Sequence, residues 1–351
     1  MKSIDMVFGV RGRFKACVHT GHTYDEDGSI IEEGTVLRES EWGNNLITLG
    51  GFQAMLTASS TSIGCVAGTG NTAPAEANVN LVTYAGRYTS QILSSRTYEL
   101  TPDVDGYYRI VSIYRATFNP GSLGSGAVNI AEAGMAMSDA PISTTGLLCR
   151  GLLVDGAGLP ITVSLDASTE FLDIYWENTR FIPSTITASQ SIDILGVPTA
   201  HSYTIQPLYL DPTVTSSGTP LVNIWWGGGS GASSIIGFNP TLTDSSYNAK
   251  EFGPRVFTGE ISGTLTTGPA GTEVSVSGSN YSTVAYVAGS KQRLFSLNLI
   301  PTNGNAVGGI RSFTLKFNFQ GWQMRVDPVI QKDAVPARVL RMDFKITLAN
   351  K

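Results

Sequence analysis

The stretch RMDFKITL, residues 341–348, decides the fold, because its apolar and polar side chains alternate without interruption. Its apolar members are Met342, Phe344, Ile346 and Leu348. Successive side chains of a β-strand point to opposite faces, so the pattern predicts a strand with one buried and one solvated face. Residues 312–319, SFTLKFNF, alternate in the same way. Such half-buried strands are typical of antiparallel sheets.

The same period of two extends upstream through much of the chain. It recurs within residues 108–118, 161–165 and 172–176, and the turn at residues 155–158 separates two of these runs. Strands of this length at this spacing predict a mainly β protein with two antiparallel β-sandwich-like domains. Residues 181–200 are weakly patterned and are predicted to be a linker. We therefore place the domains at residues 47–190 and 191–351.

The N-terminal region has a different pattern. Residues 1–46 are predicted to form an extended arm or hairpin, with Asp27-Gly28 as a tight-turn signal. Residues 48–58 have helical spacing of apolar side chains after Thr48, which is a suitable N-cap. A second short helix is predicted from Thr72 to Val82, with Pro74 in its first turn. The prediction is thus one or two short helices after the arm.

The composition narrows the classes of function. Only 15% of the 351 residues are charged, the net charge is -5, and there are 39 glycines. A surface poor in charge suits contact with other subunits, because burying a charge costs more than burying a hydroxyl; an all-β protein with many turns explains the composition equally well. No long basic run is present, so we expect no nucleic-acid partner. We also expect no membrane insertion, because no run of eighteen apolar residues occurs.

The cysteines and histidines offer little for catalysis or metal binding. Three cysteines are too few for a four-cysteine zinc site, and their odd number argues against a disulfide framework and favours folding in a reducing cytoplasm. His19 and His22 are three residues apart, a spacing that puts them on opposite faces of a strand, so a solvated turn is preferred to a metal site. His201 is the only later histidine, which limits Ser–His and Cys–His mechanisms.

Three further motifs are candidates for a nucleotide-binding, catalytic or glycan-binding site. The turn GTGNTAP, residues 68–74, lacks the lysine of a phosphate-binding loop, so no nucleotide or other cofactor is expected. Asp166, Glu170, Asp173 and Glu177 could form a glycosidase-like carboxylate pair, but solvated strand and turn carboxylates are the default interpretation. We therefore predict no enzyme activity and assign no catalytic, cofactor or metal residues.

The pair Trp225-Trp226 precedes a glycine-rich run. Two adjacent tryptophans at a loop tip could stack on a sugar, so both are candidate glycan contacts. The competing interpretation places one ring in the core and the other at an interface.

Five stretches of the chain form an ordered series of motifs. They are WGNNLITLGGFQAML (42–56), VAGTGNTAPAEANVNL (66–81), ATFNPGSLGSGAVNIAEAGMAM (116–137), the segment from LLCRGLLVDGAG to FLDIYW (147–176), and the C-terminal pattern with VDPVIQK and the last alternating strand (308–348). Taken in order, these stretches resemble tail-fibre and baseplate proteins of tailed bacteriophages. The region from about 190 to 290 has no counterpart in that pattern. The resemblance implies a structural protein of the virion, assembled in the host cytoplasm.

The resemblance also implies partners. We expect copies of the same chain, as a trimer or hexamer, together with other virion proteins, and residues 1–46 are the predicted docking segment. A receptor-binding module that contacts a host glycan through Trp225 and Trp226 is the alternative. Glu132 would need a donor if it were buried, and Arg150 is the predicted partner.

Overall fold

The computed structural model describes residues 3–25, 30–57, 63–89, 92–137, 146–194, 197–208, 210–213, 215–216, 219–220, 255–274, 280–299, 308–317, 320–331 and 340–351. It is 60% strand and 4% helix, and its curled sheets are antiparallel except for the pairing of the first strand with the last, which is parallel. The predicted mainly β class is therefore confirmed.

The first half of the chain contains the single described helix, α1, at Leu49–Thr57. Its strands are β1 (Ile4–His19), β2 (Thr23–Tyr24), β3 (Ile30–Glu32), β4 (Val36–Glu39), β5 (Gly43–Ile47), β6 (Ile63–Gly68), β7 (Tyr84–Tyr88), β8 (Ile92–Glu99), β9 (Tyr107–Phe118), β10 (Ala127–Ile130), β11 (Glu132–Met137), β12 (Leu147–Leu152), β13 (Val163–Asp166) and β14 (Phe171–Pro183). The later strands are β15 (Ile186–Ile194), β16 (Val197–Pro207), β17 (Thr215–Ser216), β18 (Thr219–Pro220), β19 (Arg255–Phe257), β20 (Glu273–Val274), β21 (Asn280–Thr283), β22 (Gln292–Leu299), β23 (Ile310–Phe317), β24 (Gln320–Ile330) and β25 (Leu340–Asn350).

The larger sheet has thirteen strands and is organised around β1. One edge of β1 pairs antiparallel with β14, which continues to β9 and then β8. The other edge pairs successively with β25, β5 and β4 along its length. Beyond β25 the sheet continues to β22 and β21, and beyond β5 it continues through β12, β11, β6 and β7.

The N-terminal segment does not form a free arm. β1 is a central strand, and the side chains of Phe8, Phe14 and Val18 are fully buried. These apolar side chains are stabilised by burial in a core. The strand β25, from the C-terminal end of the chain, pairs in parallel with residues 4–10 and adds its own buried side chains to that core. This pairing joins the predicted arm to the predicted second domain.

The smaller sheet has six strands in the order β15-β16-β24-β23-β19-β20. It packs on the larger one, and the rings of Phe8 and Trp322 meet edge to face with centroids 5.5 Å apart. Residues of both sheets form one continuous core cluster. β15 crosses the predicted boundary at residues 190 and 191, and most of the predicted linker is strand. β23 also differs from its pattern, because Ser312 and Thr314 are buried rather than solvated.

Helix α1 begins as predicted, with Thr48 as its N-cap. The Gly51 N–H donates to Thr48 Oγ1 at 3.0 Å, and the Phe52 N–H donates to the Thr48 carbonyl at 3.0 Å. A Cβ atom on Gly51 would lie 2.0 Å from the Leu148 carbonyl oxygen. The glycine that weakens this helix is therefore required by its close approach to β12.

Glu132 and Arg150 form the predicted buried ion pair. Arg150 Nε lies 2.5 Å from Glu132 Oε2, and both side chains are almost fully buried. Glu132 Oε1 also accepts the N–H groups of Gly70 and Thr83, at 3.1 and 3.0 Å. The glycine-rich turn at residues 68–74 thus binds an anion of the protein itself, the carboxylate of Glu132.

The second predicted helix, from Thr72 to Val82, is absent; these residues form turns and bends. Arg150 donates to the carbonyls of Thr72 and Ala73 at 2.5 and 3.3 Å, and to Asn78 Oδ1 at 3.1 Å. Those two carbonyls would otherwise start the helical hydrogen-bond ladder. Because a buried guanidinium needs hydrogen-bond acceptors, the hydrogen bonds to Arg150 outweigh the local sequence preference for a helix.

Candidate functional site

The fold brings His19, His22 and Asp173 together, a group we call the histidine–aspartate cluster. β1 ends at His19, and Gly21 adopts a φ of 108°, which turns the chain back. The two imidazole rings then stack with centroids 4.0 Å apart and a tilt of 27°. The expectation that they point apart into solvent was wrong, because the strand periodicity stops at the first of them.

Asp173 receives these rings from the facing strand β14. Its side chain is 1% exposed. Its carboxylate accepts hydrogen bonds from Thr117 Oγ1 at 2.6 Å, His22 Nε2 at 3.0 Å and the Tyr175 hydroxyl at 3.4 Å. His19 Nε2 lies 3.5 Å from Oδ1, and Arg115 Nε lies 4.0 Å from Oδ2. A buried carboxylate is thereby surrounded by donors.

Backbone hydrogen bonds select the tautomer of both neutral imidazoles. The Gly21 N–H donates to His19 Nδ1, and the Gly34 N–H donates to His22 Nδ1, each at 3.0 Å. A nitrogen that accepts a hydrogen bond carries no proton, so the neutral rings carry theirs on Nε2, directed at Asp173. Burial lowers the pKa of His19, and this effect exceeds the opposing attraction of Asp173.

Ligand atoms of these three side chains lie within 4.8 Å of one another, so a metal site has to be considered. An ion bound by both Nε2 atoms must lie in both ring planes, about 2.1 Å from each nitrogen. Rings stacked at 4.0 Å and tilted by 27° have planes that meet far beyond that distance. Metal-bound histidines also donate their other N–H, whereas both Nδ1 atoms are acceptors in this cluster. The geometry is suited to holding protons and hydrogen bonds rather than to chelation.

The cluster fixes the segment formed by residues 20–25 and 30–39, which we call the ribbon. His22 bridges the carboxylate of Asp173 on the sheet and the backbone of Gly34 on the ribbon. A Cβ atom on Gly34 would lie 2.2 Å from the Gly21 carbonyl oxygen, so the close approach requires glycine. Beyond this anchor the ribbon is largely exposed.

The ribbon presents apolar side chains to solvent. Ile31, Val36 and Leu37 are 66%, 52% and 41% exposed. β4 pairs with β1 on one edge and has no second strand partner within the ranges described above. Exposed apolar side chains beside an open strand edge are suited to contact with another protein.

Two of the four candidate carboxylates, Asp173 and Glu177, are too far apart to form a catalytic pair. Asp173 and Glu177 are buried, contrary to expectation, and Glu177 forms an ion pair with Arg13. Four strand residues separate them by about 13 Å, beyond the spacing of either glycosidase class. Glu170, in the turn before β14, forms an ion pair with Arg38 and accepts the Asp166 N–H at 2.7 Å.

The other candidate residues have structural surroundings. His201 is buried, with Nδ1 2.8 Å from the Pro328 carbonyl oxygen. All three cysteines are buried and free of disulfides, and burial raises the pKa of Cys17 to about 11 and that of Cys149 to about 12. These thiols are poor nucleophiles at neutral pH. Trp225 and Trp226 lie outside the described residues, so their role in glycan binding stays a prediction.

The sequence predicted a solvated carboxylate at Asp173, with membership of a glycosidase-like pair as the alternative. A signal for its burial was present, because the aromatic residues Phe171 and Tyr175 flank it on its own face of the strand, while Leu172, Ile174 and Trp176 lie on the other face. A strand that is apolar on both faces is typical of a central position.

Comparison with protein-family models, with curated proteins and with solved structures found no match. No helix in the described part of the chain is long and apolar enough to cross a membrane.

Proposed function

We propose that this chain is a structural subunit of a tailed-phage virion, in the tail, baseplate or fibre, and that it acts by symmetric assembly and docking rather than by catalysis. The observation that carries the proposal is the ribbon. It exposes Ile31, Val36 and Leu37 while its base is held by His22. A docking element of this kind loses little conformational freedom on binding, because it is already fixed.

The open edge of β4 supplies the second element of the proposed contact. Its unpaired backbone N–H and carbonyl groups can pair with a strand from a neighbouring subunit. Burying the apolar side chains of the ribbon would add about 25 cal/mol for each Å² removed from water. We infer a trimer or hexamer of the chain, because a contact between different surfaces closes into a ring.

Two further features support an assembly role. Charged residues make up only 15% of the chain, which lowers the desolvation cost of extended contacts. The ordered stretches from residue 42 to residue 348 resemble phage tail-fibre and baseplate proteins. The buried carboxylates and thiols described above have structural partners or raised pKa values, which leaves them poorly suited to catalysis.

The first experiment measures native mass and particle content. The purified chain should form a defined oligomer, and particles of the encoding phage should contain it in a fixed copy number. Ile31→Lys and Leu37→Lys should shift the chain to monomer, because a charge at the contact is costly to desolvate. Val104→Lys is the matched control, since Val104 is fully exposed but lies outside the ribbon.

The proposal fails if the chain is absent from the particles. The docking role of the ribbon fails separately, if both ribbon variants assemble like the wild type or if Val104→Lys has the same effect as they do.

A further inference from the structure

Two arginines on the inner face of the larger sheet lie close together; we call them the arginine pair. On β14, Arg180 is paired with Ile110 of β9. Two residues earlier on β14, Asn178 is paired with Ser112 of β9, and Ser112 is paired on its other side with Arg96 of β8. Directly opposed residues share a face, so Arg96 and Arg180 project to the same side in adjacent rows. The side chain of Arg180 is only 7% exposed.

Neither guanidinium has a carboxylate partner in the described residues. Arg96 donates to two neutral hydroxyls, Ser112 Oγ and Tyr114 Oη, each at 3.0 Å. Arg180 forms no side-chain hydrogen bond or ion pair with a described residue. The other strongly buried arginine, Arg150, has Glu132, so the lack of an acid beside Arg180 is a specific feature of this place.

The guanidinium of Arg180 remains charged under ordinary conditions. Burial, followed by the nearby Arg96 guanidinium, lowers the pKa of Arg180 to about 10, which still leaves it protonated at neutral pH. An unpaired buried charge is expensive, and buried charges are normally paired. The Asn178 side chain is also buried, and its Oδ1 has no hydrogen-bond partner among the described groups.

We propose that the arginine pair, with Asn178, is a binding site for an oxyanion, a phosphate or a carboxylate. Guanidinium groups bind both anions with two parallel hydrogen bonds, and two guanidiniums can hold one anion between them. The Asn178 amide can turn its NH₂ toward the anion, because the two orientations of an amide differ little in shape.

The position in the sheet allows access. β8 pairs with β9 alone among the described strands, so it is an edge strand. Arg96 thus lies at the edge of the sheet and Arg180 two strands further in, so a free anion or a carboxylate side chain of a second copy would reach the site from the side of Arg96. This inference concerns a different surface from the ribbon and does not depend on the assembly role.

The test titrates the full chain with inorganic phosphate at pH 7.4, with sodium chloride added to keep the ionic strength constant. Calorimetry should show saturable binding, and the thermal midpoint should rise with phosphate concentration. Arg180→Gln and Arg96→Gln should each weaken binding at least about tenfold, because each removes charge-assisted hydrogen bonds. Arg109→Gln is the control: Arg109 is on β9, on the opposite face, and is paired with Glu99.

Each outcome bears on the proposal. If free phosphate and acetate do not bind but Arg180→Gln lowers the native mass of a wild-type oligomer, the oxyanion is a carboxylate of a second copy. If neither anion binds and the mass is unchanged, the site is refuted. Binding that persists in both variants also refutes it, because the anion then lies elsewhere. Should Arg180→Gln fail to fold, Arg96→Gln decides, since Arg96 is only partly buried.

Discussion

The imidazole of His22 lies 3.0 Å from the carboxylate of Asp173, a residue 151 positions later in the chain. The same ring accepts the Gly34 N–H, so one side chain joins the larger sheet to the ribbon. The exposed apolar residues of the ribbon are therefore positioned by this buried polar contact together with the pairing of β4 with β1, and not by a core of their own.

Replacing His22 should loosen the ribbon. His22→Ala leaves the Gly34 N–H without its acceptor and removes one of the donors to Asp173, at a cost of about 1–3 kcal/mol. Amide hydrogen exchange should accelerate at Gly34 while β9 and β14 remain protected. Thr23→Ala, at an exposed neighbouring position, is the control. Unchanged exchange at Gly34 would show that other contacts hold the ribbon.

Stability should decrease on mild acidification because of His19. Its folded pKa is below the ordinary value of 6.5, so the unfolded chain binds the proton first. The stabilisation is fully present above pH 6.5 and is lost as pH falls from 6.5 toward the folded pKa. Urea unfolding at pH 7.5, 6.5 and 5.5 measures this loss. His19→Gln should flatten the dependence in that range, and an equally steep profile in the variant would contradict the assignment.

Glu132→Gln should be strongly destabilising. It leaves the buried Arg150 without its counter-charge, and breaking one side of such a pair costs about 3–5 kcal/mol. Glu273→Gln is the control, because Glu273 pairs with Arg255 at the surface and such pairs contribute about 0–1 kcal/mol. Denaturant unfolding compares the two. A double variant, Glu132→Met with Arg150→Met, should recover part of the loss; equal effects of the two single variants would refute this account.

Gly51→Ala should destabilise the fold although alanine favours helices by about 1 kcal/mol. The added Cβ would lie 2.0 Å from the Leu148 carbonyl oxygen, which belongs to β12 and has little freedom to move. Gly156→Ala is the matched control, because nothing lies within 4 Å of its Cβ position. Thermal unfolding should separate the two variants, and a rise in the midpoint for Gly51→Ala would show that β12 can shift.

Several elements were predictable from the sequence because their signals are local. Thr48 followed by apolar residues at helical spacing identified α1 and its cap. The pairing of Glu132 with Arg150 followed from the need of a buried carboxylate for a donor. The prediction of a second helix was wrong because Arg150, far along the chain, donates hydrogen bonds to the carbonyls of Thr72 and Ala73.

The sequence alone determined that residues 341–348 form a strand with Phe344 and Ile346 buried, because alternation is a property of the extended backbone. Only the tertiary structure decided that this strand pairs with β1, and that Asp173 receives His19 and His22. Strand partners depend on register and on burial between distant segments, and a local pattern of side chains carries no record of either.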